Sequence, residues 1–74
     1  MHDVTSNGIA TRIREAREGA GMRAEALAAV TDLSLGTIRN YEAGRTQPSV
    51  ENLRRIAAAT RVELLWLLGE EVHA

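Results

Sequence analysis

Residues 35–41, LGTIRNY, combine polar side chains suited to base recognition with two apolar anchors. Ile38 and Tyr41 fall on one face of a helix, so Arg39 and Asn40 point away from that face. An asparagine amide pairs with adenine N6 and N7, and an arginine guanidinium pairs with guanine O6 and N7 or binds a phosphate. The residues predicted to face outward are Leu35, Gly36, Arg39 and Asn40, with Thr37 at the margin. This surface is a candidate for base contacts, in which a leucine packs on a thymine methyl and a glycine lets the backbone come close.

Two short helices separated by a tight turn are expected to position these side chains. The apolar face of residues 24–31 is predicted to comprise Ala24, Leu27, Ala28 and Thr31. The second helix is predicted over residues 34–43, because Ser34 is a favourable N-cap and Gly44 ends the helix as a C′ residue. The gap between the two is too short for an antiparallel return, so the helices should cross steeply, as in a helix-turn-helix.

The segment from Leu27 to Ser49 follows the pattern L-A-x-x-T-x-L-S-x-x-T-I-x-x-Y-E-x-G-R-x-x-P-S. This pattern resembles the lambda-repressor and Cro-type helix-turn-helix family, also called XRE-like, and the resemblance extends over residues 9–69. It implies an all-α, five-helix lambda-repressor-like domain that binds double-stranded DNA and regulates transcription. It also places residues 35, 36 and 40 among the base-reading positions of the recognition helix.

Three features depart from the family pattern. Ala24 stands where members often have a glutamine that contacts a phosphate, and Arg23 is a candidate replacement for that contact. Met22 and Arg23 also stand where a Ser or Thr cap is usual, and its loss should cost about 1 kcal/mol. Asp32 occupies a turn position where glycine is common and where the backbone tends toward the left-handed region, which Asp tolerates better than most residues.

The resemblance also implies an ion pair between Arg17 and Glu42. A partly buried pair would hold the recognition helix to the first helix and aim Arg17 toward a phosphate, whereas the alternative is two exposed charges. The residues expected to contact phosphates are Arg17, Arg23, Thr37, Arg45, Thr46 and Gln47. Such contacts add affinity without sequence information. The alternative for all the candidate contacts is a set of solvated polar residues.

A first helix is expected before the helix-turn-helix. Its cap is Ser6 or Asn7, and Gly19 and Gly21 end it. Its buried face is predicted to comprise Ile9, Ile13, Ala16 and Ala20. The chain accordingly divides into a flexible N-terminal arm (1–8), a DNA-binding domain (9–69) and a C-terminal tail (70–74).

Two further helices are expected after the helix-turn-helix. Ser49 caps the fourth helix, whose apolar stripe is predicted to comprise Val50, Leu53, Ile56, Ala57 and Thr60. The fifth helix is predicted within residues 62–69. Its cap is either Thr60, in a capping box with Glu63, or Glu63 itself, as the resemblance implies.

Residues 64–68, LLWLL, are apolar in every direction, which is more than one helix face of a small domain can bury. We expect a second copy of the chain, related by a two-fold axis, to bury this apolar surface. Trp66 is expected in the core of the monomer, and the interface is expected to comprise Leu64, Leu65 and Leu67. Two recognition helices about 34 Å apart would then match a palindromic operator, which a repressor occupies to block polymerase. The alternative is a protein-interaction module, such as an antitoxin or adaptor, that uses this helix to bind another protein.

The composition limits the other function classes. The 74 residues suit one domain, and the absence of Phe and abundance of Ala favour closely packed helices. No Cys is present, the two His lie in opposite tails, and no Gly-rich phosphate loop occurs, so we expect no enzyme, metal or cofactor. The longest apolar run, 64–68, is too short to span a bilayer. We therefore expect a cytoplasmic protein, bacterial or phage-encoded and nucleoid-associated when bound to DNA.

The net charge of −1 counts against nucleic-acid binding, because DNA-binding domains are usually basic. The distribution of charge matters more than its sum. All nine basic residues are Arg, the type best suited to bidentate contacts, whereas Glu63, Glu70 and Glu71 lie far along the chain from the recognition helix.

Overall fold

Five α-helices make up the computed structural model over residues 4–69, the part of the chain that the structure describes, and this part contains no β-strand. The helices are α1 (Val4–Gly19), α2 (Ala24–Thr31), α3 (Leu35–Glu42), α4 (Val50–Thr60) and α5 (Leu64–Leu67). The prediction of an all-α, five-helix domain is therefore confirmed. The predicted tail, 70–74, and the first three residues of the predicted arm lie outside the described residues.

Every helix contributes to one hydrophobic core. The large side chains with less than 2 % exposure are Ile13 of α1, Leu27 of α2, Ile38 of α3, Leu53 and Ile56 of α4, and Leu67 of α5. Small buried residues lie between them and permit close helix packing, namely Ala10, Ala16, Ala28 and Ala57. α3 packs against α1 and α2, while α4 supports α1, α2 and α5. The helix-turn-helix is thus held on a base formed by the first and fourth helices.

Leu67 belongs to this core, so its assignment to a dimer interface is wrong. The side chain has 0 % exposure, because the single turn of α5 packs on α1 and α4 and directs Leu67 between them. Leu64 is half-buried and Leu65 is 48 % exposed. Trp66 is half-buried against the core, and the Arg12 guanidinium lies over its ring, 5.2 Å from the ring centre. This cation–π contact joins α5 to α1.

Two features of the first helix differ from the sequence prediction. α1 begins at Val4, ahead of the predicted caps at Ser6 and Asn7, so residues 4–8 of the predicted arm are helical. Residues 4–7 contain neither glycine nor proline, so no helix-breaking residue prevents α1 from starting before the predicted caps. Because α1 ends at Gly19, Ala20 lies in the following turn and is exposed rather than buried.

The fourth and fifth helices differ from the prediction at their starts. Val50 is the first residue of α4 and is 54 % exposed, because the helix first meets the core at Leu53. α5 begins at Leu64 with Glu63 at its N-cap, and no side chain caps it. The Thr60 hydroxyl donates to the carbonyl of Ile56 at 2.7 Å, which leaves the Glu63 start as the correct alternative.

Candidate nucleic-acid interface

The turn between α2 and α3 has the left-handed residue that the sequence predicts. Asp32 adopts φ 63° and ψ 32°, and the Leu33 amide donates to the carbonyl of Ala28 at 3.1 Å. Asp tolerates this region better than most residues. At the other end of α2, Arg23 is the N-cap, and its side chain makes no capping hydrogen bond, as expected from the missing Ser or Thr. The turn therefore sets the crossing of the two helices without a glycine.

Local hydrogen bonds define both ends of α3. The Thr37 amide donates to Ser34 Oγ at 2.9 Å, and the two hydroxyl oxygens of these residues lie 2.8 Å apart. Gly44 adopts φ 75°, and the Arg45 amide donates to the carbonyl of Asn40 at 2.9 Å. A positive φ favours glycine, because other side chains clash with the backbone there. The predicted cap and stop of the recognition helix are both confirmed.

The inner face of α3 is anchored in the core. Ile38 is 0 % and Tyr41 is 6 % exposed, as their spacing predicts. Tyr41 also accepts a hydrogen bond at its hydroxyl from Asn52 Nδ2 of α4, at 2.8 Å. The sequence offers no signal for this contact, since the two residues lie on different helices and eleven positions apart in the chain. The hydrogen bond from Asn52 satisfies the hydroxyl group of the buried Tyr41 ring.

Arg17 and Glu42 form the bidentate ion pair implied by the family resemblance. Arg17 Nε lies 2.7 Å from Glu42 Oε2 and Nη2 lies 2.9 Å from Oε1, while Nη1 donates to the carbonyl of Met22 at 3.0 Å. The two side chains are 15 % and 11 % exposed, so the alternative of two exposed charges is wrong. Hydrogen bonding to Glu42 raises the pKa of Arg17 above its ordinary high value, against the opposing effect of burial. The pair joins the end of α3 to α1.

The ion pair with Glu42 limits the phosphate contact that is also predicted for Arg17. A guanidinium has five N–H donors, and three of those of Arg17 are used by Glu42 and Met22. The contact of Arg17 with a phosphate stays a prediction, with two donors left to make it.

The outer face of α3 carries the four predicted base-reading residues with unequal exposure. Arg39 and Gly36 are exposed, Asn40 is half-buried, and Leu35 is half-buried with part of its side chain against the core. A Cβ added to Gly36 would have one neighbour within 4 Å, Ser34 Oγ at 3.8 Å, and Gly36 has no positive φ. Neither the backbone nor the packing of the monomer therefore requires a glycine at this position.

Asn40 and Arg45 are brought together across the end of α3. Arg45 Nη1 donates to Asn40 Oδ1 at 3.2 Å. An amide oxygen has two lone pairs, so Asn40 Oδ1 keeps the capacity to accept from adenine N6 while its NH₂ group donates to N7. The contact orients the Asn40 amide and positions the Arg45 guanidinium beside it.

The remaining phosphate candidates lie at the two ends of the helix-turn-helix. Arg45, Thr46 and Gln47 are exposed in the loop after α3, and Arg23 is exposed at the start of α2. Thr37 is half-buried, and its hydroxyl lies beside that of Ser34.

A carboxylate that the sequence did not predict at this surface belongs to Glu25. Its Oε2 lies 3.6 Å from Arg39 Nη2, and both side chains are more than half exposed. The outer face of the helix-turn-helix therefore carries an acidic group beside one of the candidate base-reading residues.

Two other kinds of site do not occur in the described residues. Between residues 4 and 69, no group of three or more His, Cys, Asp or Glu is arranged to hold a metal ion. None of the helices described there has the length and apolar character needed to cross a membrane.

Comparison with known proteins agrees with this geometry. A sequence model of the helix-turn-helix family of Cro/C1 type, XRE-like, matches residues 13–67, which include α2 to α5 and the second half of α1. No curated protein matches the chain. The match spans most of the chain and contains the capped recognition helix with its outward Arg39 and Asn40. The chain therefore belongs to the Cro/C1-type helix-turn-helix family and is a DNA-binding helix-turn-helix regulator.

Proposed function

We propose that this protein is a transcriptional repressor that binds a palindromic operator as a homodimer, with α3 in the major groove. The observation that carries the proposal is the outer face of α3, where Arg39 and Asn40 are held outward by the buried Ile38 and Tyr41. Helix-turn-helix proteins place the second helix in the major groove, with its N-terminal residues at the base edges. Leu35 and Gly36 lie in this first turn of α3, and Arg39 and Asn40 follow one turn later on the same outer face. The protein would act in the cytoplasm, at the nucleoid.

The proposed contacts divide into two classes. Leu35, Gly36, Arg39 and Asn40 read base edges, and each bidentate pair discriminates against the wrong base by roughly 1–3 kcal/mol. The phosphate contacts come from Arg17, Arg23, Thr37, Arg45, Thr46 and Gln47. The exposed cations Arg23 and Arg45 lie at the two ends of the helix-turn-helix in the chain, and they support phosphate binding despite the net charge of −1.

Dimerisation is proposed through α5. Leu65 is 48 % exposed and its neighbours Leu64 and Trp66 are half-buried, which leaves apolar surface at one end of the domain. The domain measures 34 × 26 × 21 Å, so two copies side by side can set equivalent helices about one DNA turn, roughly 34 Å, apart. Closed two-fold symmetry buries the same patch on both copies.

Selection of bound duplexes from a random pool, followed by a salt titration, tests the proposal. We expect one palindromic sequence to be recovered, and binding to it should weaken with a slope of about −0.9 in log K against log salt for each phosphate neutralised. Because Glu42 neutralises Arg17, the cations that set the slope are Arg23 and Arg45 of both subunits, and the slope should be about −3 to −4. The absence of binding to any duplex would favour the protein-interaction module, an antitoxin or adaptor that uses α5.

Gly36→Ala should affect stability and DNA binding in opposite directions. Alanine is favoured over glycine in a helix interior by about 0.5–1 kcal/mol, and by less in the first turn, where Gly36 lies. The added Cβ meets only Ser34 Oγ, at an ordinary contact distance. Thermal melts should therefore show a more stable variant. Affinity for the selected duplex should fall, because the methyl group occupies space that a base edge or sugar needs. Tighter binding by the variant would remove Gly36 from the interface.

Leu65→Glu should shift the dimer toward monomer. A carboxylate at the centre of an apolar interface loses its water without gaining a partner, which is costly. Sedimentation equilibrium at matched concentrations would measure the mass. Val30→Glu on α2 is the matched control, because Val30 is 60 % exposed and lies outside the proposed interface. If both variants and the parent protein have the same mass, the interface is elsewhere or the protein is a monomer.

A further inference from the structure

Glu25 puts a negative charge at the edge of the surface that is proposed to face DNA. It lies two residues after Arg23, in the first turn of α2, and its Oε2 is 3.6 Å from Arg39 Nη2. The Glu25 and Arg39 side chains are 64 % and 61 % exposed. A carboxylate in this position repels the phosphates that the neighbouring arginine attracts.

Folding gives little reason for the contact between Glu25 and Arg39. Its distance is longer than that of a good charge-assisted hydrogen bond, and exposed pairs of this kind contribute little to stability. By contrast, the pair between Arg17 and Glu42 is short, bidentate and mostly buried. The main effect of Glu25 is therefore on the direction and the local charge of Arg39.

We propose that Glu25 is a positioning residue that directs Arg39 to a base and away from the DNA backbone. This inference rests on the proposed function. Glu25 comes closest to Arg39 at Nη2, and this 3.6 Å distance is too long for a hydrogen bond, so the N–H donors of the guanidinium fork remain available for guanine O6 and N7. A phosphate would have to approach the same guanidinium beside a carboxylate of like charge, which raises the energy of that arrangement.

The expected consequence is a change in specificity rather than in affinity alone. Without the carboxylate, Arg39 becomes free to bind a phosphate on any sequence, and random DNA gains one phosphate contact per subunit. On the selected duplex, removing the repulsion between Glu25 and the phosphates raises the affinity. This gain is offset because Arg39 is no longer directed to its base. Glu25 thus lowers binding to random DNA more than it lowers binding to the operator.

The test compares Glu25→Gln with Glu51→Gln on a selected duplex and on a random duplex. Glu51 is a close control, because it occupies the same position in the first turn of α4 and contacts Arg55 at 3.3 Å, as Glu25 contacts Arg39. Glu25→Gln should bind the random duplex about three- to tenfold more tightly near physiological salt, with a steeper salt slope by about 0.9 per subunit. Its affinity for the selected duplex should change by less than about twofold, and Glu51→Gln should leave both unchanged.

A second measurement separates positioning from a general charge effect. Arg39→Ala identifies the base pair that Arg39 reads, as the position where preference relaxes in a new selection. Glu25→Gln should weaken preference at that same base pair about fivefold, and it should have no effect there in the Arg39→Ala background. Equal gains on both duplexes with base preference intact would overturn the proposal. If the parent protein binds no duplex, the proposed function itself fails, and this inference fails with it.

Discussion

Glu42→Ala is expected to lower the free energy of unfolding by about 2–4 kcal/mol. Removing one partner from a buried ion pair leaves the other charge unpaired, and for fully buried pairs this costs about 3–5 kcal/mol. Here Arg17 is 15 % exposed, so water can reach it in part and the expected loss is smaller than for a fully buried pair. A domain of this size has a total stability of about 4–11 kcal/mol. The melting temperature should fall by about 10–30 °C.

Two further variants serve as comparisons for Glu42→Ala. Glu15→Ala removes an exposed carboxylate of α1 and should change stability by less than about 0.5 kcal/mol. Glu42→Gln keeps one acceptor for Arg17 but loses the charge, so it should fall between the parent and Glu42→Ala. Chemical denaturation with a fixed m-value would measure all three. Equal small losses for Glu42→Ala and Glu15→Ala would mean that the pair does not hold α3 to α1.

Asn40→Ala is expected to remove most of the discrimination at one base pair of each half-site. If the Asn40 amide pairs with adenine, its loss should cost roughly 1–3 kcal/mol against that base, or about 5- to 150-fold in affinity. The effect on folding should be small, because Asn40 is half-buried and its side chain contacts Arg45 at the surface. Selection from a random pool with the variant would show a tolerant position where the parent protein shows adenine.

Arg23→Ala is the control for this experiment. Arg23 is the N-cap of α2 and its side chain makes no capping hydrogen bond, so its removal should neither disturb Asn40 nor unfold α2. If Arg23 binds a phosphate, its replacement should weaken all duplexes alike and reduce the salt slope by about 1 per subunit. A uniform loss for Asn40→Ala, with the same recovered operator, would place Asn40 among the residues that bind phosphates.

The parts of the fold that could be predicted are those with local signals. Ser34 and Ser49 cap α3 and α4 as their types and positions indicate, and Asp32 and Gly44 have the left-handed backbone that the pattern requires. The ends without such signals were predicted less well. α5 is a single turn without a side-chain cap, and the capping residues Ser6 and Asn7 lie inside α1 rather than at its start.

The candidate site shows the same division between local pattern and tertiary contact. Helical spacing predicts that Ile38 and Tyr41 face inward, and the family resemblance implies the pair between Arg17 and Glu42. The contacts of Asn52 with Tyr41 and of Glu25 with Arg39 join different helices, so they depend on crossing geometry that no short pattern contains. Leu67 was assigned to the wrong surface because an apolar run does not tell which of its leucines the monomer itself buries.

The recognition helix is capped at its start by Ser34 and is joined to other helices at two points, by the Asn52 amide on Tyr41 and by Arg17 on Glu42. A recognition helix held in this way loses little conformational entropy when it binds DNA. Association should then resemble rigid docking, with a heat-capacity change that reflects only the surface brought into contact and not the ordering of a segment. Any mismatch in shape would have to be accommodated by bending the duplex, so flexible base steps at the centre of the operator would be favoured although no side chain touches them.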